Sequence, residues 1–437
     1  MSSAKVVVVG AGLAGAEAAW QASKLGVPVE LFEMRPVSNT SAHKSAEFAE
    51  LVCSNSLGSD STKNASGLLK AELRMLGSLI MQVAEQHRVP AGGALAVDRW
   101  RFAEDVTRKI HTQPGIKVIR ERVSRIPDTQ QGPVIIATGP LTTDELAEHI
   151  AQFTGQDALF FFDAASPIVL AESVDPTRSF RASRYQKQQA SGDYINCPLD
   201  EQEYQRFYEA LVSAESVVPH APDNTAYFEG CVPIEVLAKR GVDTLRYGPM
   251  KPVGLDDPAT KSMAHAVVQL RQDDIHGRMY NIVGFQTSLK WGEQDRVFRM
   301  IPALKHAEFL RYGVMHRNTY INAPKVLLSS MHCSSNRQLL FAGQIVGVEG
   351  YVESSASGLI AGINAARLLL DKPPLELPQT TMLGALLDYI TSTRNERLQP
   401  MNANWGLLPP VKTRKKGKRY RNEALAARAL DDLRSIL

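Results

Sequence analysis

The sequence predicts an α/β fold with a parallel sheet, interrupted by an inserted α+β domain. Residues 1–35 read as one β-α-β unit, and apolar strands go on alternating with helices up to about residue 186. Polar, aromatic and proline-punctuated segments then replace this alternation, which returns after residue 305. We therefore expect one domain built from residues 1–186 and 306–437, and an inserted domain at residues 187–305.

The turn of the first β-α-β unit carries a dinucleotide-binding motif. Val6–Val9 are apolar and β-branched, which is typical of a strand buried on both faces. Gly10, Gly12 and Gly15 then form G-x-G-x-x-G, in which glycines permit the tight turn, the approach of backbone amides to a pyrophosphate, and close helix packing. Glu33 ends the second strand, where a carboxylate accepts hydrogen bonds from ribose hydroxyls. The unit is Rossmann-like, and its predicted contacts with the dinucleotide are Gly10, Ala11, Gly12, Leu13, Ala14, Gly15, Glu33 and Arg35.

A long loop, two helices and another strand are predicted after this unit. Residues 35–67 are polar and contain Cys53, and a loop of this length beside a nucleotide site is more often functional than idle. Residues 68–87 have the spacing of one amphipathic helix, and Asp98 can cap another helix at Arg99–Thr112. PVIIATG predicts a strand that ends at Gly139, beside the nucleotide turn.

The C-terminal part predicts the second half of the ligand site. A strand ends at Gly343 and Gln344, and a helix follows at residues 353–370, so amides and a helix N-terminus can point at an electron-rich ring. Two chain ends around one ligand, with a single G-x-G-x-x-G, favour a Rossmann-like FAD-binding domain over a separate nicotinamide domain. Tyr351 either stacks on a second flat ring bound against this one or fills a core cluster.

Charge and cysteine content exclude several classes of protein. Lysine and arginine number 49 against 46 acidic residues, so any basic surface must be local. The four cysteines lie far apart without a C-x-x-C pair, which predicts neither a metal site nor a disulfide framework and favours a reducing cytoplasm. No stretch has the length and apolarity of a membrane span.

Basic residues cluster near the C-terminus, where they predict either contacts with phosphates or a solvated tail. The cluster surrounds Tyr420 and consists of Lys412, Arg414, Lys415, Lys416, Lys418, Arg419 and Arg421. Further basic candidates for binding an anionic ligand are Lys290, Arg296, Arg299, Arg311 and Arg317.

Several motifs resemble those of one family of flavoproteins. AGQIVGVEGYVESSASGLIAGINAA resembles the FAD-binding signature of the glucose-inhibited-division-type tRNA-modifying flavoproteins. CSNSLGS, PAGGALAVDR, FEGCVPIE, YGPMKPVGL, GFQTSLKW and RYGVMHRNTYINAP resemble the shorter branch, the folate- and FAD-dependent tRNA uracil-5-methyltransferases (TrmFO).

The resemblance covers nearly the whole chain and implies methylation of C5 of uridine 54 in the tRNA T-loop. It implies 5,10-methylenetetrahydrofolate as the carbon donor and FAD, reduced by NADPH or NADH, as the reductant. The carbon passes either by way of the flavin or directly from folate to uracil, and the sequence leaves both routes open. With such substrates, the second ring against which Tyr351 would stack is the folate pteridine, and the further basic candidates would bind RNA or the folate glutamate tail. We infer no obligatory protein partner.

Two cysteines are the catalytic candidates. Uracil C5 is a poor nucleophile until a group adds to C6, and a thiolate is suited to that addition. Cys231 precedes Pro233 and a short predicted helix, whose N-terminus lowers a thiol pKa. The resemblance implies that Cys231 attacks C6 and that Cys53 removes the C5 proton or guards the flavin. For Cys197 and Cys333 we prefer the alternative, small buried apolar residues.

Three other functions remain open at this point. An FAD oxidoreductase with a cysteine redox pair would turn over without RNA or folate. A flavin-containing RNA-binding protein would bind tRNA without chemistry. A third candidate modifies the wobble uridine, as the longer relatives do.

Overall fold

The structure is a computed structural model. It describes residues 4–156, 159–184, 192–217, 232–257, 262–394, 399–412 and 417–437, with the backbone alone at 159–163 and 316–317. Cys231, the expected nucleophile, lies outside the described residues. So do Arg414, Lys415 and Lys416 of the basic cluster and the side chain of Arg317.

The elements follow in chain order, joined by turns and short 3-10 helices. The first third contains β1 (Val6–Val9), α1 (Leu13–Lys24), β2 (Val29–Phe32), β3 (Ser56–Ser59), α2 (Ala65–Met75), α3 (Leu79–Gln86), β4 (Arg88–Val89), β5 (Ala94–Val97), α4 (Arg99–Thr112), β6 (Ile116–Ile119), β7 (Val134–Ile136) and α5 (Asp144–Thr154). The middle contains β8 (Leu159–Ala164), β9 (Ile168–Leu170), β10 (Phe180–Ala182), β11 (Tyr194–Leu199), α6 (Glu201–Ser213), α7 (Ile234–Ala238), α8 (Thr244–Tyr247), β12 (Ala266–Gln272), β13 (Met279–Ile282), α9 (Trp291–Phe298) and β14 (Phe309–Arg311). The last part contains β15 (Met315–Tyr320), α10 (Ala323–Val326), β16 (Leu339–Phe341), α11 (Tyr351–Leu369), α12 (Met382–Thr391) and α13 (Lys418–Arg434).

A five-stranded parallel sheet forms the centre of the first unit, in the order β16-β7-β1-β2-β6. Strands β1, β7 and β16 are fully buried, as their apolar sequences predict. Val9 pairs with both Phe32 and Ile136, so the carboxyl ends of β1, β2 and β7 lie at one edge of the sheet. This register confirms the predicted position of β7 beside the nucleotide turn.

Helices α1 and α11 pack together against this sheet because glycines allow a close approach. A Cβ added to Gly358 would lie 2.2 Å from Ala14 O, and one added to Gly362 would lie 2.3 Å from Ala18 O. Both distances are far below a van der Waals contact, so only glycine fits at either position. The small-residue face of α11 therefore binds the helix of the N-terminal motif, and this contact joins the two ends of the chain.

A second sheet has six strands in the order β10-β11-β12-β13-β9-β14, with antiparallel pairs. Helices α6, α7 and α9 cover it and share a separate core that includes Phe207, Phe285 and Phe298. Strands β9, β10 and β14 come from outside residues 187–305, so the sheet itself runs from Ile168 to Arg311. The domain limits of 187–305 stay a prediction.

The prediction of one continuous helix at residues 68–87 is wrong. The chain forms α2 and α3 instead, with Gly77 in a left-handed conformation between them (φ 73°). The carboxylate of Glu17 causes α3 to start anew, because it accepts hydrogen bonds from Ser78 Oγ, Leu79 N and Ile80 N at 2.7–3.1 Å. Glu17 belongs to α1, so a window over residues 68–87 does not contain this signal.

Two other boundaries differ little from expectation or not at all. Helix α4 spans Arg99–Thr112 as predicted, and Asp98 caps it by accepting from Trp100 N and Arg101 N. Helix α11 begins at Tyr351, two residues before the predicted start. Among the helices of the described ranges, none combines the length and apolarity that a membrane crossing requires.

Candidate active site

A cleft of about 1060 Å³ opens at the carboxyl edge of the parallel sheet. It is lined by residues that follow β1, β2, β7 and β16, the position at which open α/β sheets bind ligands. Ten of the twelve predicted contact residues line it, namely Gly10, Gly12, Leu13, Ala14, Glu33, Arg35, Gly139, Gly343, Gln344 and Tyr351. The cleft therefore brings the N-terminal motif and the C-terminal segment together.

The three glycines of the motif differ in what an added side chain would meet. Gly10 has φ 95°, and a Cβ there would lie 2.7 Å from Ala137 O. A Cβ at Gly15 would lie 1.7 Å from Gly10 O, so Gly15 supports helix packing and does not line the cleft. At Gly12 a Cβ would meet no described atom within 4 Å. Glycine at position 12 is thus not required by the chain's own packing, and the open space leaves room for a pyrophosphate.

Glu33 is buried and already organised by the chain. Its Oε1 accepts from Arg35 N (3.0 Å) and Arg35 Nε (2.9 Å), and its Oε2 accepts from Ala11 N (2.9 Å). Burial raises the pKa of this carboxyl, but the hydrogen bonds and charge of Arg35 outweigh burial and hold the pKa below its ordinary value. Of the four lone-pair sites, one on Oε2 stays open to a ribose hydroxyl. Ala11 therefore acts through Glu33 and does not line the cleft.

The C-terminal side of the cleft is held by a polar network. Gly343 has φ 85°, and its N–H donates to Ser357 Oγ of α11 at 2.8 Å. Gln344 Nε2 donates to Tyr320 OH at 3.0 Å and to Glu349 Oε1 at 3.1 Å. These bonds fix the turn before α11, whose N-terminus faces the cleft through Tyr351 and Ser354.

Tyr351 connects the cleft to Cys53. Its hydroxyl accepts hydrogen bonds from Cys53 N (2.8 Å) and Ser54 N (3.2 Å), and its ring lines the cleft. Burial raises the pKa of the Tyr351 phenol, so the hydroxyl keeps its proton. Cys53 is partly exposed, and its Sγ contacts Ala164 O at 3.7 Å. The structure thus places Cys53 one hydrogen bond away from a residue of the cleft, whereas stacking by Tyr351 stays a prediction.

The two remaining described cysteines are buried, as predicted. Cys197 lies in β11 with no exposed surface, and burial raises the pKa of its thiol. Cys333 is 1% exposed, and its Sγ lies 3.2 Å from Ser335 Oγ. Both positions are typical of structural cysteines.

Sequence reasoning missed the arginines that surround the Cys53 loop. Arg99 Nη1 donates to Leu51 O at 2.9 Å, Arg271 Nη2 donates to Ser54 Oγ at 2.6 Å, and Arg311 donates to Val52 O. Arg99 falls within PAGGALAVDR, but the sequence pattern there indicated only a strand and a helix cap. Arg311, one of the further basic candidates, donates to a carbonyl of this loop, and its expected contact with RNA or folate stays a prediction.

Three comparisons place the chain among known proteins. The family model described as glucose inhibited division protein A matches residues 5–373. The methylenetetrahydrofolate–tRNA-(uracil-5-)-methyltransferase TrmFO of Moorella thermoacetica is 57% identical over 429 residues, which cover 98% of this chain and 97% of that protein. The protein of the same name from Halalkalibacterium halodurans is 53% identical over 437 residues, covering 100% and 99%.

The solved structure of Aquifex aeolicus GidA in its form I crystal shares the fold. Its TM-score is 0.72 at 16% identity, and the match covers 100% of this chain and 76% of that chain. This likeness confirms the predicted Rossmann-like α/β fold.

Proposed function

The chain belongs to the glucose-inhibited division protein A family, in its TrmFO branch, and from this membership we propose that it methylates C5 of uridine 54 in the T-loop of tRNA. The carbon comes from 5,10-methylenetetrahydrofolate, and the electrons come from FAD that NADPH or NADH has reduced. The observation that carries the proposal is the fixing of a thiol-bearing residue, Cys53, at the edge of the dinucleotide cleft by Tyr351.

The residues of the cleft fit FAD as the dinucleotide. Gly12 is the N-cap of α1, and the open space beside it at this helix N-terminus suits a pyrophosphate, while Glu33 retains an acceptor for a ribose hydroxyl. Gly343 and Gln344 would hold the ring at the other end of the cleft. When bound, FAD supplies the electrons that convert a transferred methylene into a methyl group.

The cysteines have separate roles in this proposal. Cys231 adds to uracil C6 as a thiolate, which makes C5 nucleophilic. Pro233 is the N-cap of α7, and the proposal is that the N-terminus of this helix lowers the pKa of the Cys231 thiol, which lies outside the described residues. Cys53 then accepts the proton that leaves C5.

Basic residues at the start of α13 are the proposed contact with tRNA. Lys418, Arg419 and Arg421 are exposed, and the first turn of this helix contains no acidic residue; Glu423, one turn further on, pairs with Arg419 at 3.0 Å. Cations at a helix N-terminus oppose the helix dipole, so a bound phosphate would relieve a repulsion that the free protein carries. The target base must leave its stack to present C5 and C6.

The other cationic candidates are less suited to RNA. Lys290, Arg296 and Arg299 pair with Glu215, Glu293 and Asp295 at 2.6–2.8 Å, so acidic neighbours offset their charges. We propose the cytoplasm as the setting and require no obligatory protein partner.

The test is nucleoside mass spectrometry of unmodified tRNA after incubation with the FAD-loaded protein, NADPH and labelled methylenetetrahydrofolate. The expected product is labelled 5-methyluridine at position 54, absent when uridine 54 is replaced and absent with Cys231→Ala. Oxidation of NADPH without folate or RNA would favour the oxidoreductase. Label at the wobble uridine would favour the longer relatives' reaction, and tRNA binding without product would favour a binding protein.

A further inference from the structure

Three arginines from different parts of the chain converge on residues 51–55, which we call the Cys53 segment. Arg99, the first residue of α4, binds Leu51 O, and Arg311, the last residue of β14, binds Val52 O. Arg271 of β12 binds Ser54 Oγ (2.6 Å) and Asn55 Oδ1 (3.0 Å). The second sheet therefore contacts the backbone and side chains on both sides of Cys53.

These contacts leave an excess of positive charge next to the Cys53 segment. Arg99 pairs with Asp273 at 2.7 Å, whereas Arg271 donates to the neutral side chains of Ser54, Asn55 and Asn281. Arg311 donates to a carbonyl. Arg99 and Arg271 are 4% and 8% exposed, and buried charges of this kind require a compensating charge.

The thiol of Cys53 donates to Ala164 O at 3.7 Å while it is protonated, and it can supply such a charge when it ionises. Burial lowers the pKa of Arg271 and of Arg311, and Cys53 is among the groups whose negative charge raises it again. The negative charge of Cys53 also raises the pKa of Arg99. Because such interactions are mutual, the arginines favour the ionised thiol. The described charged or titratable groups around it are Arg99, Arg271, Asp273, Arg311 and Tyr351.

The hydrogen bonding at this junction argues against a purely structural role. Arg99 Nε, Asp273 Oδ2 and Asn281 Nδ2 are buried and have no hydrogen-bond partner among the described residues. Each such group costs about 1–3 kcal/mol of unfolding free energy in a typical protein. A contact that served stability alone would satisfy them or use apolar side chains.

We propose that Arg271 and Arg311 are positioning residues that hold the Cys53 segment against the cleft and stabilise the negative charge of Cys53 when its thiol ionises. The inference rests on the proposed function, in which Cys53 accepts the C5 proton. A thiolate forms the new S–H bond as the C5–H bond breaks, and the electron pair of that bond stays with the uracil ring. Water then removes the proton from the thiol.

The test measures ionisation of Cys53 in the FAD-loaded protein as a function of pH. Alkylation at Cys53 is followed by peptide mass spectrometry in the wild type, Arg271→Met, Arg311→Met and Arg271→Lys. A second reading is the ultraviolet absorbance of the thiolate, taken as the difference between each protein and its Cys53→Ser version, which does not depend on reagent access. The matched control is Arg278→Met, because Arg278 is an exposed arginine whose ion-pair partner is the buried carboxylate of Asp274.

Loss of either guanidinium should raise the midpoint of the Cys53 profile by about one pH unit, which lowers the thiolate fraction about tenfold below the midpoint. Arg271→Lys keeps the charge and should restore most of this effect, while Arg278→Met should leave the profile unchanged. Should Arg271→Met fail to fold, Arg311→Met provides the same reading.

Unchanged midpoints in both methionine variants would overturn the inference, as would equal shifts in Arg271→Met and Arg271→Lys. The proposed function fails separately, through the absence of labelled 5-methyluridine in the wild type. If the midpoints shift but no methylated product forms, the arginines stabilise the Cys53 thiolate and the proposed methylation is wrong.

Discussion

Replacing Tyr351 by phenylalanine removes one oxygen from the cleft and keeps the ring. That oxygen accepts hydrogen bonds from Cys53 N and Ser54 N at 2.8 and 3.2 Å. The net value of a hydrogen bond is about 0.5–1.5 kcal/mol, so losing both should destabilise the held state of the Cys53 segment by about 1–3 kcal/mol. This energy corresponds to about a 5- to 150-fold shift toward open states of the segment.

Amide hydrogen exchange of the peptide containing residues 51–55 measures this opening, and single-turnover methyl transfer measures its effect. We expect Tyr351→Phe to accelerate exchange at Cys53 and Ser54 and to slow transfer by a similar factor. FAD affinity should change little, because the ring that lines the cleft remains. Tyr204→Phe is the matched control, since this buried tyrosine donates to Val242 O at 2.5 Å in the second core.

If Tyr351→Phe exchanges and transfers at the rates of the wild type, the Tyr351 hydroxyl does not hold the Cys53 segment. A large loss of FAD affinity with unchanged exchange would instead indicate that Tyr351 serves the ligand directly.

Three further predictions concern the motif, a buried acid and the basic helix. Gly12→Ala should fold like the wild type but bind FAD at least about tenfold more weakly. Gly15→Ala should instead reduce the yield of folded protein, because its Cβ would lie 1.7 Å from Gly10 O. Wild-type FAD affinity in Gly12→Ala would contradict this prediction. Burial raises the pKa of Glu72 from 4.5 to about 8, against the hydrogen bonds from Leu383 N and Met382 N. The folded protein thus binds the extra proton, so the contribution of Glu72 to stability is full below pH 4.5 and is lost as the pH rises to about 8. Denaturant unfolding should show a decline of up to about 1.4 kcal/mol per pH unit that Glu72→Gln lacks, and equal pH slopes would reject the assignment. Neutralising Lys418, Arg419 and Arg421 should reduce the slope of log affinity for tRNA against log salt by about 0.7–0.9 per lost contact. The control is neutralisation of Arg434 at the other end of α13, which should leave the slope unchanged. An unchanged slope in the first variant would indicate that the basic residues form a solvated tail.

The parts of the site that the sequence predicted are those with local causes. The G-x-G-x-x-G turn requires a positive φ at Gly10 and contact between Gly15 and Gly10 O, and both requirements lie within six residues of the chain. The apolar runs of β1, β7 and β16 likewise predict buried parallel strands, because such strands are covered on both faces.

Prediction failed where a distant side chain decided the local structure. Residues 68–87 have a continuous helical pattern, yet Glu17 of α1 accepts the first amides of α3 and sets a new helix start. The sequence predicted that Glu33 accepts hydrogen bonds from a ribose. It did not predict that Arg35 and the amide of Ala11 donate to this carboxylate and orient it.

The Rossmann-like unit, the position of the cleft at its sheet edge and the family can be predicted from the sequence, because glycine geometry and strand periodicity depend on adjacent residues. How Cys53 is held depends on the folded chain: Tyr351 and Ser54 are 297 positions apart, Arg271 and Ser54 are 217 apart, and Arg311 and Val52 are 259 apart. Single polar side chains have no periodic pattern, and the folded sheets alone bring them within hydrogen-bonding distance of one loop.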